Sequence, residues 1–292
     1  MLHYDMPLYR PPSEGNNLII QATLGCSFNQ CSFCSMYKSK AYVARPLDQV
    51  FSDIDRAAAS WPEAHRIFLA DGDALALPAD QLLKILQKLQ QTFPRLTRVS
   101  CYATPSNILR KSPEELALLR ANRLTLLYLG IETGDHDLLK KITKGATQRS
   151  IKEALHKAHE SQLKVSATVI LGLGGKQYWE QHIDGTLEIL NNAPLTYLST
   201  LQLFLDPEVV QEFAQKYREP FQPQEDIAIL HEQQRLIAGF NPPQPVIFRS
   251  NHASNALALA GNLPKDRERL LMQIDRVLQG EGGMRPWHMR RL

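Results

Sequence analysis

The strongest constraint on the fold is a repeat. Short apolar runs recur along the chain, each followed by a polar or glycine-bearing segment and then by a stretch with helical spacing. The runs are "NLIIQATLG", "RIFLADGD", "RVSCYATP", "LTLLYLGIETG", "KVSATVILGLGG" and "TYLSTLQLFLDP". Between them, "LDQVFSDIDRAAAS" places Leu47, Val50, Phe51 and Ile54 on one helical face. "PADQLLKILQKLQQTF" starts with Pro78, suited to a first helical turn, and "KSPEELALLRAN" with a capping box of Ser112 and Glu115. "DHDLLKKI" and "RSIKEALHKAHES" read as two short helices, and "QYWEQHIDGTLEILNN" as a longer one. The strands are apolar nearly throughout, as strands covered on both faces are. The pattern predicts an α/β fold with a parallel sheet and right-handed crossovers.

The alternation fits both an open doubly wound sheet and a barrel. In either, ligands bind at the carboxyl ends of the strands. The segments "GCSFNQC", "DGD", "TPSN", "ETG" and "GLGG" stand there and are expected to meet in one site. After Asp206 the rhythm changes to helices, a Pro-rich turn, a short strand, a polar stretch and a late helix. The expected organisation is an extension over 1–16, a core over 17–207 and a mainly helical C-terminal extension over 208–292 that caps the substrate side. The tail "EGGMRPWHMRRL" is expected to be mobile.

Three of the four cysteines, Cys26, Cys31 and Cys34, fall in the first polar segment. No apolar stretch approaches a membrane span, the first residues lack a signal-peptide pattern, and a net charge of +3 gives no reason to expect a nucleic-acid partner. A cytoplasmic location follows as an expectation, and there a tight cysteine group binds metal more readily than it forms disulfides. Structural zinc needs a fourth ligand, for which His3 and His65 are candidates without zinc-finger spacing. A redox pair at Cys31 and Cys34 leaves Cys26 unexplained. Three thiolates with one open position is the arrangement of a catalytic metal. Cys101, mid-strand in "VSCYA", reads as a packing thiol.

Three cysteines directly after the first strand, Phe33 just before the last of them, and the strand–helix repeat downstream resemble the radical S-adenosylmethionine (SAM) superfamily. The usual spacing there is three residues and then two; here it is four and then two. The run "GIETGDHDLLKKITKGAT" is similar to a pattern of the elongator, methylthiotransferase and coproporphyrinogen-oxidase branch. The resemblance covers about Asn17 to Pro207 and implies a partial (β/α)6 barrel of TIM type. It implies a [4Fe–4S] cluster on the three thiolates, with one iron left for SAM. Reductive cleavage of SAM then gives a 5′-deoxyadenosyl radical that abstracts hydrogen from a substrate.

Carried over residue by residue, "ADGDA" (Asp71, Gly72, Asp73) receives the methionine amine and Glu132 binds ribose or methionine. Lys144 or Lys152 holds the methionine carboxylate. Phe33 shields the cluster, and "VILGLGG" (Ile170, Gly172) packs by adenine, with Gly174 where proline is usual. Taken singly, "DGD" is an ordinary turn and the two lysines are solvated helix charges. Their order along one repeat makes the joint reading. The resemblance also implies an external one-electron donor such as flavodoxin or ferredoxin and a small-molecule substrate.

On the substrate side, "FRSNHASN" follows an apolar run and offers Arg249 and His252 as substrate-facing donors, a solvated loop being the plain alternative. Tyr4, Tyr9 and Arg10 are expected to cover the same mouth. A tetrapyrrole reaction like that of oxygen-independent coproporphyrinogen oxidase is one alternative, though Glu132 stands where those oxidases usually carry Gln. A non-catalytic iron–sulfur electron-transfer protein or a structural zinc protein is the alternative from another class.

Overall fold

The computed structural model describes residues 4–290, so His3 and Arg291 lie outside the described residues. The chain divides into two compact units. The first takes residues up to Asn29, Ser35–Leu129 and Lys157–Val165; the second takes Gln30–Cys34, Gly130–His156 and Ser166 onward.

In the first unit the strands are β1 (Leu18–Gln21), a small antiparallel pair β2 (Thr23–Leu24) and β3 (Val43–Ala44), β4 (Arg66–Ala70), β5 (Arg98–Ala103) and β6 (Leu124–Glu132), whose last residues belong to the second unit. The main strands run parallel in the order β1-β4-β5-β6. Leu18 lies opposite Ile67, Ile67 opposite Val99, and Cys101 opposite Leu127. Helices α1 (Leu47–Ser60), α2 (Ala79–Thr92), α3 (Pro105–Arg110) and α4 (Pro113–Ala121) supply the crossovers. Helix α2 buries Leu82, Ile85, Leu86 and Leu89, the spacing of one face, and each such side chain contributes about 1.5–3 kcal/mol by leaving water. Ser112 and Glu115 form the expected capping box of α4. Helix α3 was not expected; Thr104 and Asn107 cap it reciprocally, Asn doing what Glu or Gln usually does. Ahead of β1, the fully buried Glu14 accepts from Arg98 (2.7 Å), Ser100 (2.9 Å) and Tyr128 (2.6 Å).

The second unit holds α5 (His136–Lys141), most of α6 (Gln148–Glu160) and of β7 (Lys164–Leu171), α7 (Gly175–Leu190), β8 (Tyr197–Gln202), α8 (Val210–Tyr217), α9 (Asp226–Gly239), β9 (Val246–Ser250), β10 (Leu259–Leu263) and α10 (Arg267–Leu278). The strand order is β7-β8-β9-β10. The pairs β7–β8 and β8–β9 are parallel, and β9–β10 is an antiparallel hairpin. The extension after 208 is therefore not helical alone. Its two strands prolong the sheet beyond β8, and "LAGNL" forms β10 where a polar stretch was expected.

In the described part of the tail, up to Arg290, two arginines make tertiary contacts. Arg285 donates to the carbonyls of His252 (2.9 Å) and Ala253 (3.0 Å), and Arg290 grips Asp226 with two bonds of 2.7 and 2.6 Å. Such bidentate guanidinium–carboxylate contacts fix both groups. Among the described residues no helix is long and apolar enough to cross a membrane.

Candidate functional site

In the first unit, the loop after β2 begins at Gly25, whose φ of +65° suits glycine, and a Cβ there would lie 2.8 Å from the Ala41 carbonyl. Gly72 presses on the same loop. A Cβ on Gly72 would collide with the Gly25 carbonyl and lie 2.6 Å from Cys26 Cα, so only glycine admits this approach. Asp73 completes the hold. Its Oδ1 accepts the Ser27 amide (2.7 Å) and its Oδ2 the Ser27 hydroxyl. Burial raises the Asp73 carboxyl above its ordinary value, while the Ser27 bonds pull it back. Asn29 takes the left-handed conformation (φ +45°), which Asn tolerates, and its side chain donates to the carbonyls of Tyr37 (2.8 Å) and Lys40 (3.2 Å). The residue added to the usual spacing is thus accommodated by an anchored turn.

Asp71 is fully buried. Its Oδ2 meets the Lys40 ammonium (3.2 Å) and the Gln21 amide (3.4 Å). Lys40 also donates to the carbonyls of Asp5 and Pro7 (2.7 Å each), so the first residues lie across the carboxyl ends of β1 and β4. Tyr4 instead bonds the Ile19 carbonyl, and Arg10 that of Asn17. The buried Tyr37 hydroxyl is raised strongly by burial and then by Asp71.

In the second unit, the Ser32 amide donates to the Ile142 carbonyl (2.9 Å) and the Cys34 amide to the Cys31 carbonyl (3.3 Å). Phe33 packs on the cluster of Leu138, Ile142, Leu173, Phe213 and Tyr217. The two thiols are thereby fixed on the end of α5. Beside them is a buried ion pair, Lys144 Nζ to Glu132 Oε1 at 2.9 Å. Burial alone would lower the Lys144 pKa; Glu132 and the sulfurs of Cys31 and Cys34 outweigh it and bring it up to about 12. Glu132 itself stands at φ +64°, a conformation costly for a residue with a Cβ and one that recurs at functional sites. Gly130 makes room for the pair, since a Cβ there would collide with the Glu132 carboxylate and lie 3.0 Å from Lys144 Nζ.

Of the two candidate lysines, Lys144 is therefore the one next to Cys31 and Cys34; Lys152 pairs with Glu188 (3.1 Å) on the surface. Ile170 and Gly172 stand at the end of β7 and just after it, Gly172 at φ +83°. Arg249 is exposed and turns to its own hairpin, donating to the Phe248 carbonyl (2.7 Å). His252 Nδ1 bonds the Ser254 hydroxyl (2.8 Å), and burial, then the charge of Arg285, lowers its pKa. Sequence reasoning missed Ser27, Lys40 and Gly130. Only Gly130 left a signal, two places before Glu132.

Among the described residues the four cysteines form no disulfide, and no three His, Cys, Asp or Glu side chains converge tightly enough for one metal ion. Cys101 is fully buried and its thiol is pushed up to about 12, mainly by burial, which suits packing and not ligation. His65 is exposed just before β4, at the far end of that strand from Gly72.

A family model described as the radical SAM superfamily matches residues 20–188. The chain belongs to the radical SAM superfamily. Its cofactors are a [4Fe–4S] cluster and SAM. The chain is 23% identical over 211 residues to the haem chaperone HemW of Bacillus subtilis (strain 168), covering 69% of this chain and 55% of HemW. It thus spans about half the length of that curated relative. Among solved structures, coproporphyrinogen III oxidase (HemN) of Escherichia coli, described as a radical SAM enzyme, is similar with a TM-score of 0.55 at 17% identity, covering 76% of this chain and 51% of that one. Methylornithine synthase (PylB) is similar at 0.52 and 15%, covering 91% and 82%. These likenesses show the α/β fold of parallel strands that radical SAM proteins share.

The donor set fits the cluster. Each of Cys26, Cys31 and Cys34 is partly exposed, in contrast to Cys101, and a polynuclear cluster takes one thiolate per iron, so its ligands need not converge on a point.

Proposed function

We propose that this protein is a radical SAM enzyme acting on a small molecule, with Cys26, Cys31 and Cys34 as the ligands of three irons. The observation that supports this most is the buried Lys144–Glu132 pair beside Cys31 and Cys34. A fixed ammonium there can meet the carboxylate of SAM, and Glu132 can orient that ammonium or the ribose. When bound, the cluster and SAM supply one-electron cleavage of the sulfonium bond and hydrogen-atom abstraction.

The chain's own residues bind, orient and shield. Gly72 and Asp73 hold the Cys26 loop, and the backbone of the "DGD" segment is the candidate contact for the methionine amine. Phe33 screens the thiols on the α5 side. Ile170 and the Gly172 backbone are assigned to the adenine. His252 is retained as a substrate-side group and Arg249 as a peripheral one, while Lys152 is the weaker candidate for the carboxylate. The electron is expected from an external one-electron carrier.

The match to a protein named as a haem chaperone supports a second reading, in which this chain has a binding role and no catalysis of its own. The experiment is anaerobic reconstitution with iron and sulfide, followed by SAM and dithionite. Release of 5′-deoxyadenosine supports the enzyme; a cluster whose spectrum responds to SAM without that release supports the second reading. A colourless zinc-loaded protein overturns both. The tetrapyrrole reaction is tested by coproporphyrinogen III as substrate, and no residue described above favours it.

A further inference from the structure

His182 and Glu232 are fully buried ionisable side chains that the proposed chemistry does not use. His182, on α7, touches the ends of two strands. Its Nε2 lies 3.0 Å from the Ile170 carbonyl on β7, and its Nδ1 lies 2.8 Å from the hydroxyl of Thr133, which follows Glu132 at the end of β6. Glu232, on α9, reaches the same place from the C-terminal extension. Its Oε2 accepts the Gly172 amide at 2.5 Å, and its Oε1 faces His182 Nε2 at 3.6 Å. That Oε1 is buried and has no hydrogen-bond partner among the described residues. One turn earlier on α9, Ile229 closes on Gly172, where a Cβ would lie 2.7 Å from its Cδ1.

We infer that His182 and Glu232 are positioning residues that fix the ends of β6 and β7 for SAM, His182 tying Thr133 to Ile170 and Glu232 clamping the Gly172 amide. This rests on the assignment of Ile170 and Gly172 to the adenine. The hydrogen bonds fix the tautomer: Nε2–H donates to the Ile170 carbonyl, and Nδ1 accepts from Thr133. At 3.6 Å and fully buried, the pair is favoured in its uncharged forms. Burial drags the His182 pKa down to about 4 and pushes that of Glu232 up to about 8, against the pull of the Gly172 bond. No charged side chain contributes to either shift. From α7 Glu232 meets His182, from β7 the Gly172 backbone, and past His182 the uncharged Thr133; on its own helix Gln233 turns to Thr200 and Ser250. Burial therefore favours the protonated form of Glu232, in which the carbonyl oxygen accepts the Gly172 amide. Raising the pH through about 8 places there a charge that only the Gly172 amide offsets, and the cost of burying it weakens the packing of α9 that carries the clamp.

The test uses anaerobically reconstituted protein, equilibrium SAM binding, and amide hydrogen exchange at Gly172 without SAM. Glu232→Leu is expected to weaken SAM binding by about ten- to a hundredfold, as loss of a buried partner does, and to speed exchange at Gly172. Glu232→Gln, which keeps a carbonyl acceptor and cannot ionise, is expected to restore both and to abolish the loss of affinity above pH 7. An infrared carboxylic-acid carbonyl band present in the wild type and missing in Glu232→Gln would identify the protonated acid. Unchanged SAM affinity and exchange in Glu232→Leu overturns the inference. So does a wild-type pH profile that Glu232→Gln shares, which decides the matter even where the Leu variant does not fold. Wild-type protein that carries a cluster and binds no SAM refutes the underlying cofactor assignment instead, and Gly172 exchange still tests the clamp.

Discussion

Asp71 in the first unit and Glu232 in the second are both fully buried carboxyl groups near strand ends, and they are kept there by opposite means. Asp71 faces the Lys40 ammonium and the Gln21 amide. Glu232 faces the His182 imidazole and one backbone amide, and burial raises its pKa to about 8. A buried ion pair is tolerated only while both partners remain, whereas a buried acid needs no counter-charge at all. The first arrangement is intolerant of mutation; the second is intolerant of alkaline pH.

The largest effect lies with the thiols that these scaffolds hold. Alanine at Cys26, Cys31 or Cys34 is expected to abolish the cluster absorbance and iron content after reconstitution, while Cys101→Ala keeps both. Loss of the cluster in Cys101→Ala would point to a closed four-thiolate site. Next, Lys40→Met strands the Asp71 charge and is expected to cost about 3–5 kcal/mol in denaturant unfolding. The added change Asp71→Asn should return much of it. A Lys40→Met protein as stable as wild type would erase the contrast drawn above.

The pH response sharpens the same contrast. Glu232, raised from 4.5 to about 8, contributes a stability that falls as the pH rises between those values. His182, lowered from 6.5 to about 4, contributes one that rises over that lower range and is complete above 6.5. The two trends oppose each other below about pH 6.5, so a net decline of about 1–2 kcal/mol is expected between pH 6.5 and 8. Thermal or urea unfolding of wild type against Glu232→Gln measures it, and the variant should show a flatter curve. The smallest effect is expected at Lys152, whose pair with Glu188 is partly exposed. Lys152→Ala should change stability by about 0–1 kcal/mol and leave SAM affinity intact, whereas Lys144→Ala should weaken it.

Local signals were legible where partners lie close along the chain. The alternation of β1 to β8 with helices, the Ser112–Glu115 box and the cysteine segment all show in short windows. What stayed hidden depends on distant partners. Lys40 reads as one more surface cation until Asp71, 31 residues on, is placed beside it. Glu232 and Gln233 are polar residues in a segment that reads only as a helix, yet both are buried, because α9 meets the end of β7 on one side and Thr200 and Ser250 on another. The tail reads as loose because only the tertiary fold brings Arg285 to the carbonyls after β9 and Arg290 to Asp226. The cysteine segment shows in the spacing, but that Lys144 pairs with Glu132 beside Cys31 and Cys34 while Lys152 pairs with Glu188 shows only in the fold.

The position of Glu232 on α9 bears on how such proteins recombine. The match to the family model ends at residue 188, yet the carboxyl that holds the Gly172 amide comes from the segment beyond it. A chimera cut at that border and given a foreign C-terminal segment would inherit a Gly172 with no clamp, although His182 would keep Thr133 and Ile170. For modular shuffling or domain grafting, the smallest transferable cassette therefore runs through α9, and a relative lacking an acid or amide at the equivalent helical position must secure that glycine in some other way.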